Sequence, residues 1–338
     1  MNFMNSFSAV IIRWFREYGR DLPWRETKDP YAIWLSEIIL QQTRIAQGWE
    51  YWERFMKTYP KVEDLAAASE DDVLKLWQGL GYYSRARNLH TAAKQIVALG
   101  RFPDTLEGIK SLKGVGDYTA AAIGSFAFDI PAAVVDGNVY RVLSRYFGID
   151  TPINSTQGKK EFAALAQSLL PASDAASYNQ GMMDFGAIQC TPQSPRCLVC
   201  PLAETCEALR TGRVEELPVK NKTLKVKTRH LSYIYIRCKG EVAIHRRGEG
   251  DIWQGLWEPY NASDALQLPA FVHNPLLLAK DVKHVLTHRI LLADFYLQET
   301  ETRPLLPDDY IWVKEDEVEQ YGVPRLIEIM LEMVQAKS

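Results

Sequence analysis

The chain has 338 residues and a mass of 38.5 kDa, which suggests about two domains at roughly 150 residues per domain. Hydrophobic residues make up 47% and charged residues 24%. These are the proportions of an ordinary globular protein, so a disordered chain and a fibrous repeat are excluded. The net charge of −3 does not by itself favour nucleic acid, so any basic surface must come from the arrangement of the charges.

The N-terminal segment, residues 1–20, has the pattern of an amphipathic helix. It has no basic stretch before its apolar part and no small-residue cleavage site, so we do not expect a secretory signal. No apolar run approaches the ~20 residues that a membrane helix needs. We therefore expect a cytoplasmic protein that does not associate with a membrane. We also expect a monomer.

Residues 1–215 read as almost entirely helical, because apolar residues recur at spacings of three and four, as in residues 71–100. A basic linker follows over residues 216–229, with five basic residues and no acidic one between 218 and 229. This linker is interpreted either as a solvated tether or as a strap along a phosphate backbone.

After residue 230 the apolar residues alternate with polar ones, a period of two that is typical of strands. Residues 230–338 are therefore predicted to form an α+β domain. Residues 230–247 read as two strands joined by a Lys239-Gly240 turn. Strand character returns over residues 284–299, including the run from His284 to His288, and residues 323–335 close the chain with a helix.

Four of the five cysteines fall within 17 residues, in the spacing C-x6-C-x2-C-x5-C. They are Cys190, Cys197, Cys200 and Cys206. An odd total with such clustering favours metal binding in a reducing compartment over a disulfide framework. Zinc and an iron–sulfur cluster both satisfy four thiolate ligands, and the spacing alone leaves both open.

Residues 104–128 are predicted to form a helix, a tight hairpin over 112–116 and a second helix starting near Asp117. Gly114 and Gly116 allow a sharp turn and a close approach by a partner. Backbone N–H groups beside a helix N-terminus form an anion site, and a DNA phosphate fits it. A simple structural helical hairpin is the alternative.

Two carboxylic acids are candidates for acid–base chemistry. Glu37 has mostly apolar neighbours at helical spacing, so burial would raise its pKa and suit a general acid; alternatively it is a helix acid that reaches solvent. Asp136 precedes a predicted helix and is a natural N-cap, a role compatible with catalysis because capping keeps the carboxylate ionised and fixed. Sequence spacing cannot pair the two residues.

Taken together, these residues resemble the helix-hairpin-helix DNA glycosylase superfamily, and within it the adenine DNA glycosylase (MutY type) family. The resemblance rests on the hairpin LKGVGDYTA, the acid in VVDGNVYRVLSR and the cysteine spacing, together with DLPWR, SEIILQQT, GLGYYSRARNLH and NQGMMDFGAIQC. It covers nearly all of residues 10–210. It implies a multi-domain protein: an all-α helix-hairpin-helix glycosylase domain of two helical subdomains, and an α+β Nudix-like C-terminal domain.

The resemblance implies that the chain excises adenine paired with 8-oxoguanine or guanine in double-stranded DNA, that it carries a [4Fe-4S] cluster on the four cysteines, and that it works at the nucleoid. In this family Glu37 would protonate the adenine at N7, and Asp136 would stabilise the oxocarbenium-like sugar that forms as the bond breaks. Tyr118 and Asn138 would position or tune these two groups.

Further positions are implied by the same resemblance. The DNA-contacting residues would be Gln42, Thr43, Tyr82, Gly114, Gly116, Thr287 and His288. The residues of the base pocket would be Trp24, Arg25 and Gln180. From the local sequence alone, Trp24 and Tyr82 could equally belong to a helix core.

Residues 230–338 resemble the family's Nudix-like domain, which checks for 8-oxoguanine opposite the adenine. The acidic Nudix cassette is missing after residues 248–258, so we predict a reader domain without hydrolase activity. The family's Phe-Ser-His loop is replaced here by Leu286, Thr287 and His288. The hydroxyl and the imidazole are retained, and the aromatic ring is lost.

Two other functions remain as alternatives. An endonuclease III-like glycosylase/lyase acting on oxidised pyrimidines carries Lys where this chain has Tyr118, and Tyr cannot form a Schiff base. A non-catalytic DNA-binding or redox-sensing iron–sulfur protein would not need the pair of acids, Glu37 and Asp136.

Overall fold

The computed structural model describes residues 3–221, 226–250, 252–262 and 271–337, with side chains from residue 7 onward. The chain divides into two compact units. The first comprises residues 1–45, 61–63 and 91–222, and the second comprises residues 46–60, 64–90 and 223–338. Within the described residues, no helix is long and apolar enough to span a membrane.

The region before residue 215 is helical, as the sequence predicts. Its helices are α1 (Phe3–Tyr18), α2 (Pro30–Ile39), α3 (Ile45–Thr58), α4 (Val62–Ala67), α5 (Glu70–Trp77), α6 (Ser84–Leu99), α7 (Leu106–Lys110), α8 (Asp117–Phe128), α9 (Gly137–Phe147), α10 (Thr156–Leu169), α11 (Ala175–Asp184) and α12 (Glu207–Arg210). A π-helical turn, Phe185–Gln189, continues α11 up to Cys190.

The described residues of the first unit include two clusters of buried apolar side chains. In one, α1, α9, α10 and α11 bury a cluster that includes Phe7, Phe162 and Phe185. In the other, α2 packs on α8 through a smaller cluster that includes Ile33 and Ala122. Burial of these apolar faces is the main favourable contribution to the stability of the helices, because short helices are marginal in water.

The second unit contains a mixed sheet built from β1 (Lys227–Cys238), β2 (Glu241–Arg246), β3 (Trp257–Glu258), β4 (Tyr260–Asn261), β5 (Leu276–Val285), β6 (Arg289–Thr300) and β7 (Tyr310–Lys314). The strand order is β3-β2-β1-β6-β5, with β4 on β1 and β7 on β2. β1 and β6 run parallel, in a register that pairs Lys227 with Arg289. Helix α13 (Arg325–Gln335) packs on one face of the sheet through Leu326, Ile327 and Met330.

The fold class is therefore confirmed, and so are several local predictions. Lys239 and Gly240 both have positive φ and join β1 to β2 as a two-residue hairpin, with Cys238 opposite Glu241. Of the predicted linker, residues 222–225 lie outside the described residues, and β1 already begins at Lys227.

One strand assignment is wrong. The sequence predicts a strand from His284 to His288, but β5 ends at Val285 and β6 begins at Arg289. The N–H of Leu286 donates to the carbonyl of Arg289 at 2.8 Å and closes a turn. The apolar run continues through this turn without Gly or Pro, so the sequence pattern does not mark it.

The helical pattern of residues 71–100 spans two helices. It breaks between α5 and α6, where Gly79, Gly81 and Tyr82 all have positive φ. Glycine adopts this conformation at little cost, whereas a tyrosine does so only when its surroundings hold it there. The break places Tyr82 on an exposed loop, with 47% of the residue accessible.

Candidate active site

Glu37 lies near the C-terminal end of α2, whose start is fixed by Asp29 as N-cap and Pro30 in the first turn. The side chain is 7% exposed. Burial raises the pKa of Glu37 to about 7, and the negative charge of Asp136 adds to the increase. A hydrogen bond from Tyr118 and the charge of Arg25 act in the opposite direction. Glu37 is thus able to hold or release a proton near neutral pH.

Asp136 is the N-cap of α9, as the sequence predicts. One carboxylate oxygen accepts from the backbone N–H groups of Asn138 and Val139 at 2.9 and 2.8 Å, and the other accepts from the side-chain amide of Asn138 at 2.7 Å. Burial raises the pKa of Asp136, while these three hydrogen bonds and the charge of Arg141 act to lower it. The carboxylate is therefore fixed in position.

Tyr118 connects the two acids. It lies in the first turn of α8 and its hydroxyl is hydrogen-bonded to Glu37. Burial, together with the negative charges of Glu37 and Asp136, raises the pKa of Tyr118 well above its usual value. The phenol therefore stays protonated and can donate. The structure thus brings Glu37, Tyr118, Asp136 and Asn138 together in one site.

A chain of hydrogen bonds leads from Asp136 to the first cysteine of the cluster. The side-chain oxygen of Asn138 accepts from Arg141 at 2.8 Å. The same guanidinium donates to the carbonyls of Cys190 and Gly186 at 2.7 and 2.6 Å. A Cβ on Gly186 would lie 2.5 Å from that of Asn138, so the close approach of the π-helical turn to α9 requires glycine.

The three predicted base-pocket residues, Trp24, Arg25 and Gln180, line one cavity of about 410 Å³ in the first unit. Arg25 is held there by Asp184, which is fully buried, through bonds of 2.8 Å. Burial acts to raise the pKa of Asp184, but hydrogen bonds from Arg25 and Arg20 outweigh it, so that its pKa is lowered and the carboxylate stays charged. The pocket therefore has a fixed cation at its wall.

The four clustered cysteines line a second, small cavity of about 30 Å³ in the same unit. None of the four is in a disulfide. Arg145, which is 3% exposed, places a guanidinium nitrogen 3.4 Å from the sulfur of Cys190 and donates to the carbonyls of Thr191 and Pro192. Arg145 thus places a buried positive charge beside the first of the four sulfurs.

No group of three or more His, Cys, Asp or Glu side chains within the described part of the chain is placed to hold a metal ion. Two features favour a metal group: the four cysteines line the same cavity, and thiols are metal ligands. Four sulfur donors fit a thiolate-ligated group, and the adjacent guanidinium fits its negative charge.

The helical hairpin is confirmed between α7 and α8. Leu112 and Val115 are buried and anchor the turn, while the two glycines are exposed. Gly114 has φ +79°, which favours glycine. A Cβ on Gly116 would meet nothing within 4 Å, so this position is open to a partner. The predicted DNA-contacting residues Gln42 and Thr43 lie in the turn after α2, with Gln42 exposed and at φ +57°.

In the second unit, the predicted residues Tyr82, Thr287 and His288 line one cavity of about 510 Å³. The hydroxyls of Tyr82 and Thr287 are hydrogen-bonded to each other. These residues are distant in sequence, and the structure brings them together at the β5–β6 turn.

Arg85 supports the loop that carries Tyr82. This arginine, in the first turn of α6, donates to the carbonyls of Leu80 and Gly81 at 3.3 Å. Its guanidinium also lies over the rings of Trp77 and Tyr82, 5.0 and 5.7 Å from their centroids. Burial lowers the pKa of Arg85 to about 10, so it remains charged at neutral pH.

The sequence analysis missed several residues that shape these sites, namely Arg20, Arg85, Arg141, Arg145, Asp184 and Gly186. Arg141 follows Asn138 by three residues on a helix, so helical spacing could have found that pair. Most of the other missed residues contact partners that are distant in sequence. No local sequence pattern indicates these contacts.

Comparison with known protein families gives two matches. The HhH-GPD superfamily of base excision DNA repair proteins matches residues 35–171, and a NUDIX domain matches residues 232–333. The first match contains Glu37, Tyr118 and Asp136, and the second contains Thr287.

Several curated relatives are named adenine DNA glycosylase. One, from Buchnera aphidicola of Acyrthosiphon pisum, is 37% identical over 256 residues, covering 74% of this chain and 73% of that protein. The human relative is 40% identical over 225 residues, covering 63% of this chain and 41% of that protein.

Solved structures also resemble the chain. A thermostable thymine-DNA glycosylase has a TM-score of 0.58 and 33% identity, covering 62% of this chain and 97% of that one. A trapped covalent intermediate of endonuclease III with DNA has a TM-score of 0.54 and 21% identity, covering 63% and 99%. At that identity, the second likeness shows the shared fold.

Proposed function

The chain belongs to the adenine DNA glycosylase family, hydrolases that act on N-glycosyl bonds in DNA, and we propose that its substrate is adenine opposite 8-oxoguanine or guanine. The observation that carries the chemistry is the group formed by Glu37, Tyr118 and Asp136. A buried acid with a pKa of about 7 lies next to a second carboxylate that three hydrogen bonds fix in place.

The proposed reaction begins with the adenine out of the base stack. Glu37 donates its proton to N7, and the N-glycosyl bond breaks with its electron pair moving to the adenine. The positive charge that develops on the sugar is stabilised by the ionised Asp136. Water then adds to C1′ and gives up a proton to the Glu37 carboxylate, which restores the acid. The products are free adenine and an abasic site.

Tyr118 supports the proposal of a monofunctional enzyme. A lyase forms a Schiff base between an amine and the sugar and then cuts the strand, and Tyr118 offers a phenol at this place. Its hydroxyl instead donates to Glu37 and orients that carboxyl group. The endonuclease III-like alternative is accordingly not favoured.

The other site residues have positioning roles in this proposal. Asn138 holds Asp136, and Arg141 holds Asn138. Trp24, Arg25 and Gln180 line a cavity whose wall residue Arg25 acts on the pKa of Glu37, and we assign this cavity to the adenine. Because Arg25 is fixed by the buried Asp184, it can keep its position while the base enters.

We assign the binding of the DNA backbone to the helical hairpin of residues 112–116. Exposed Gly114 and Gly116 allow a phosphate to approach the N-terminus of α8. Gln42 and Thr43 would contact the duplex near the extruded base, since Gln42 is exposed on a turn held at positive φ. We propose that these contacts allow a chain with a net charge of −3 to bind DNA.

We propose that Cys190, Cys197, Cys200 and Cys206 hold a [4Fe-4S] cluster. When bound, the cluster supplies a structural crosslink for the loop that contains its ligands. Arg145 fixes the start of that loop, and Arg141 links the loop to Asn138. Iron and acid-labile sulfide analysis, with zinc as the competing result, tests this assignment.

The second unit is assigned to reading the base opposite the adenine. Its cavity presents the hydroxyl pair of Tyr82 and Thr287 together with His288. These polar groups can contact the oxygen and N–H that distinguish 8-oxoguanine from guanine.

Base release under single-turnover conditions tests the proposal. Duplexes with adenine opposite 8-oxoguanine, guanine or thymine are incubated with excess enzyme, and free base is quantified by chromatography. We expect adenine from the two mispairs, fastest opposite 8-oxoguanine, and none from the A:T pair. Release of an oxidised pyrimidine from a matched control duplex, with no adenine release, would contradict the assignment.

A further inference from the structure

Trp253 has a backbone conformation that a tryptophan rarely adopts. Its φ is +62°, in the left-handed region that favours glycine or asparagine. A bulky residue persists there only when its surroundings impose the conformation, and such positions concentrate at ligand sites. Trp253 lies in the segment between β2 and β3, outside the residues assigned a function above.

The conformation is held from both sides. The guanidinium of Arg247 donates to the carbonyl of Ile252 at 2.9 Å. Arg87, on α6, donates to the carbonyl of Gln254 at 2.7 Å. The N–H of Leu256 closes the turn by donating to the carbonyl of Trp253 at 3.0 Å. The backbone on each side of Trp253 is therefore bonded to an arginine.

This arrangement directs the indole to the cavity of the second unit. Trp253 lines the same cavity of about 510 Å³ as Tyr82, Thr287 and His288. Its ring is braced by His284, at 5.8 Å between ring centroids, and by the guanidinium of Arg247 at 5.9 Å. Trp253 is partly exposed and lines the cavity, so part of its surface is available to a ligand there.

The cavity thus joins an aromatic surface to a pair of hydroxyls. Leu286, in the β5–β6 turn, contributes only an aliphatic side chain to the lining. Trp253 and the tyrosines of the 79–83 loop supply the aromatic rings. A nucleobase held by polar groups at its edge gains further affinity when its face stacks on an aromatic ring.

We propose that Trp253 is a specificity-determining residue, whose indole packs on the base opposite the target adenine. This inference rests on the proposed function of the cavity. The hydroxyls of Tyr82 and Thr287 hold the 8-oxoguanine edge, and Trp253 covers the face of the base. Guanine lacks the C8 oxygen, is held less firmly at its edge and gains less from the ring.

The test compares Trp253→Gly with Trp253→Phe in the full-length protein. Glycine suits the positive φ and removes the ring, whereas phenylalanine keeps an aromatic face. Trp257→Phe is the matched control, because Trp257 packs on Tyr321 and its indole N–H has no hydrogen-bond partner within the described residues. Thermal unfolding confirms that each variant folds, and Trp253→Asn replaces the glycine variant if that one does not.

The readout is the ratio of single-turnover excision rate constants for A:8-oxoG and A:G duplexes. We expect Trp253→Gly to lower this ratio by roughly 10-fold, within the range for loss of one base–aromatic stack. The A:G rate constant should fall much less than the A:8-oxoG rate constant. Trp257→Phe should keep the wild-type ratio, and Trp253→Phe should keep most of it.

An unchanged ratio in Trp253→Gly, or an equal loss on both duplexes, would overturn the inference. A wild-type protein that shows no preference for A:8-oxoG would instead refute the proposed function of the cavity. The two failures are therefore distinguishable.

Discussion

Burial raises the pKa of Glu37, and the negative charge of Asp136, the N-cap of α9, adds to the increase although Glu37 lies on another helix, α2. The two carboxyl groups therefore differ in their protonation at neutral pH. Glu37 is protonated in part at neutral pH. Burial raises the pKa of Asp136 as well, but the hydrogen bonds that Asp136 accepts at the start of α9 oppose this increase and favour its ionised form. An acid for the leaving base and an anion for the cationic sugar are thereby present in the same site.

Replacing Glu37 with Gln removes the proposed proton donor and leaves the size of the side chain nearly unchanged. We expect the single-turnover rate constant for adenine release to fall by roughly 10²- to 10⁴-fold, the usual contribution of general acid catalysis. Glu107→Gln, at an exposed helix position, is the matched control and should retain full activity. Excision by Glu37→Gln at the wild-type rate would show that another group protonates the base.

The stability of the fold should also depend on Glu37. Burial raises its folded-state pKa from the ordinary 4.5 to about 7, so the folded protein binds this proton more tightly than the unfolded chain. The resulting stabilisation is complete below pH 4.5 and is lost as the pH rises through 7.

Wild-type protein should therefore lose about 3 kcal/mol of unfolding free energy relative to Glu37→Gln between pH 4 and pH 8. Parallel urea denaturation series of the two proteins measure this difference. If the difference in unfolding free energy between the two proteins stays the same across this pH range, the carboxyl group of Glu37 is solvated.

Tyr118→Phe should shift the pH dependence of catalysis. The hydrogen bond from Tyr118 lowers the pKa of Glu37, so its removal raises that pKa further. The rate constant for excision should then begin to fall at a higher pH than in the wild type, because Glu37 stays protonated up to a higher pH. The pH–rate profile is the measurement, and an unmoved alkaline limb would argue against the contact.

The two glycines of the hairpin should respond differently to alanine. Gly116→Ala places a Cβ in open space with an ordinary φ of −96°, so we expect unchanged stability and weaker DNA binding. Gly114→Ala imposes φ +79° on alanine and should destabilise the protein by about 1 kcal/mol. Thermal unfolding and DNA titration separate the two effects; full DNA affinity in Gly116→Ala would place the phosphate elsewhere.

Features encoded by neighbouring residues could be predicted from the sequence. The N-cap at Asp136, the hairpin of residues 112–116 and the Lys239-Gly240 turn all follow from local rules. The turn at Leu286–His288 was assigned to a strand because its apolar pattern continues without a turn residue. The local sequence pattern therefore predicts turns and helix ends well where Gly, Asp or Asn occur at them.

The sites themselves depend on contacts between distant segments. Sequence could nominate Glu37 and Asp136 separately, but their proximity follows from the packing of α2 on α8 and from the position of α9. The bonds from Asp184 to Arg20 and Arg25 are equally remote in sequence. Nor does any local rule predict a tryptophan at positive φ, as at Trp253.

Strand scission with and without alkali tests the central claim most directly. A duplex with one adenine opposite 8-oxoguanine is treated with excess enzyme, and an A:T duplex serves as the control. We predict breaks at the adenine only after alkali, only in the mispair, and no covalent complex on borohydride treatment, because Tyr118 offers no amine. Breaks that form without alkali, with a trapped Schiff base, would contradict this account and place the chain among the lyases.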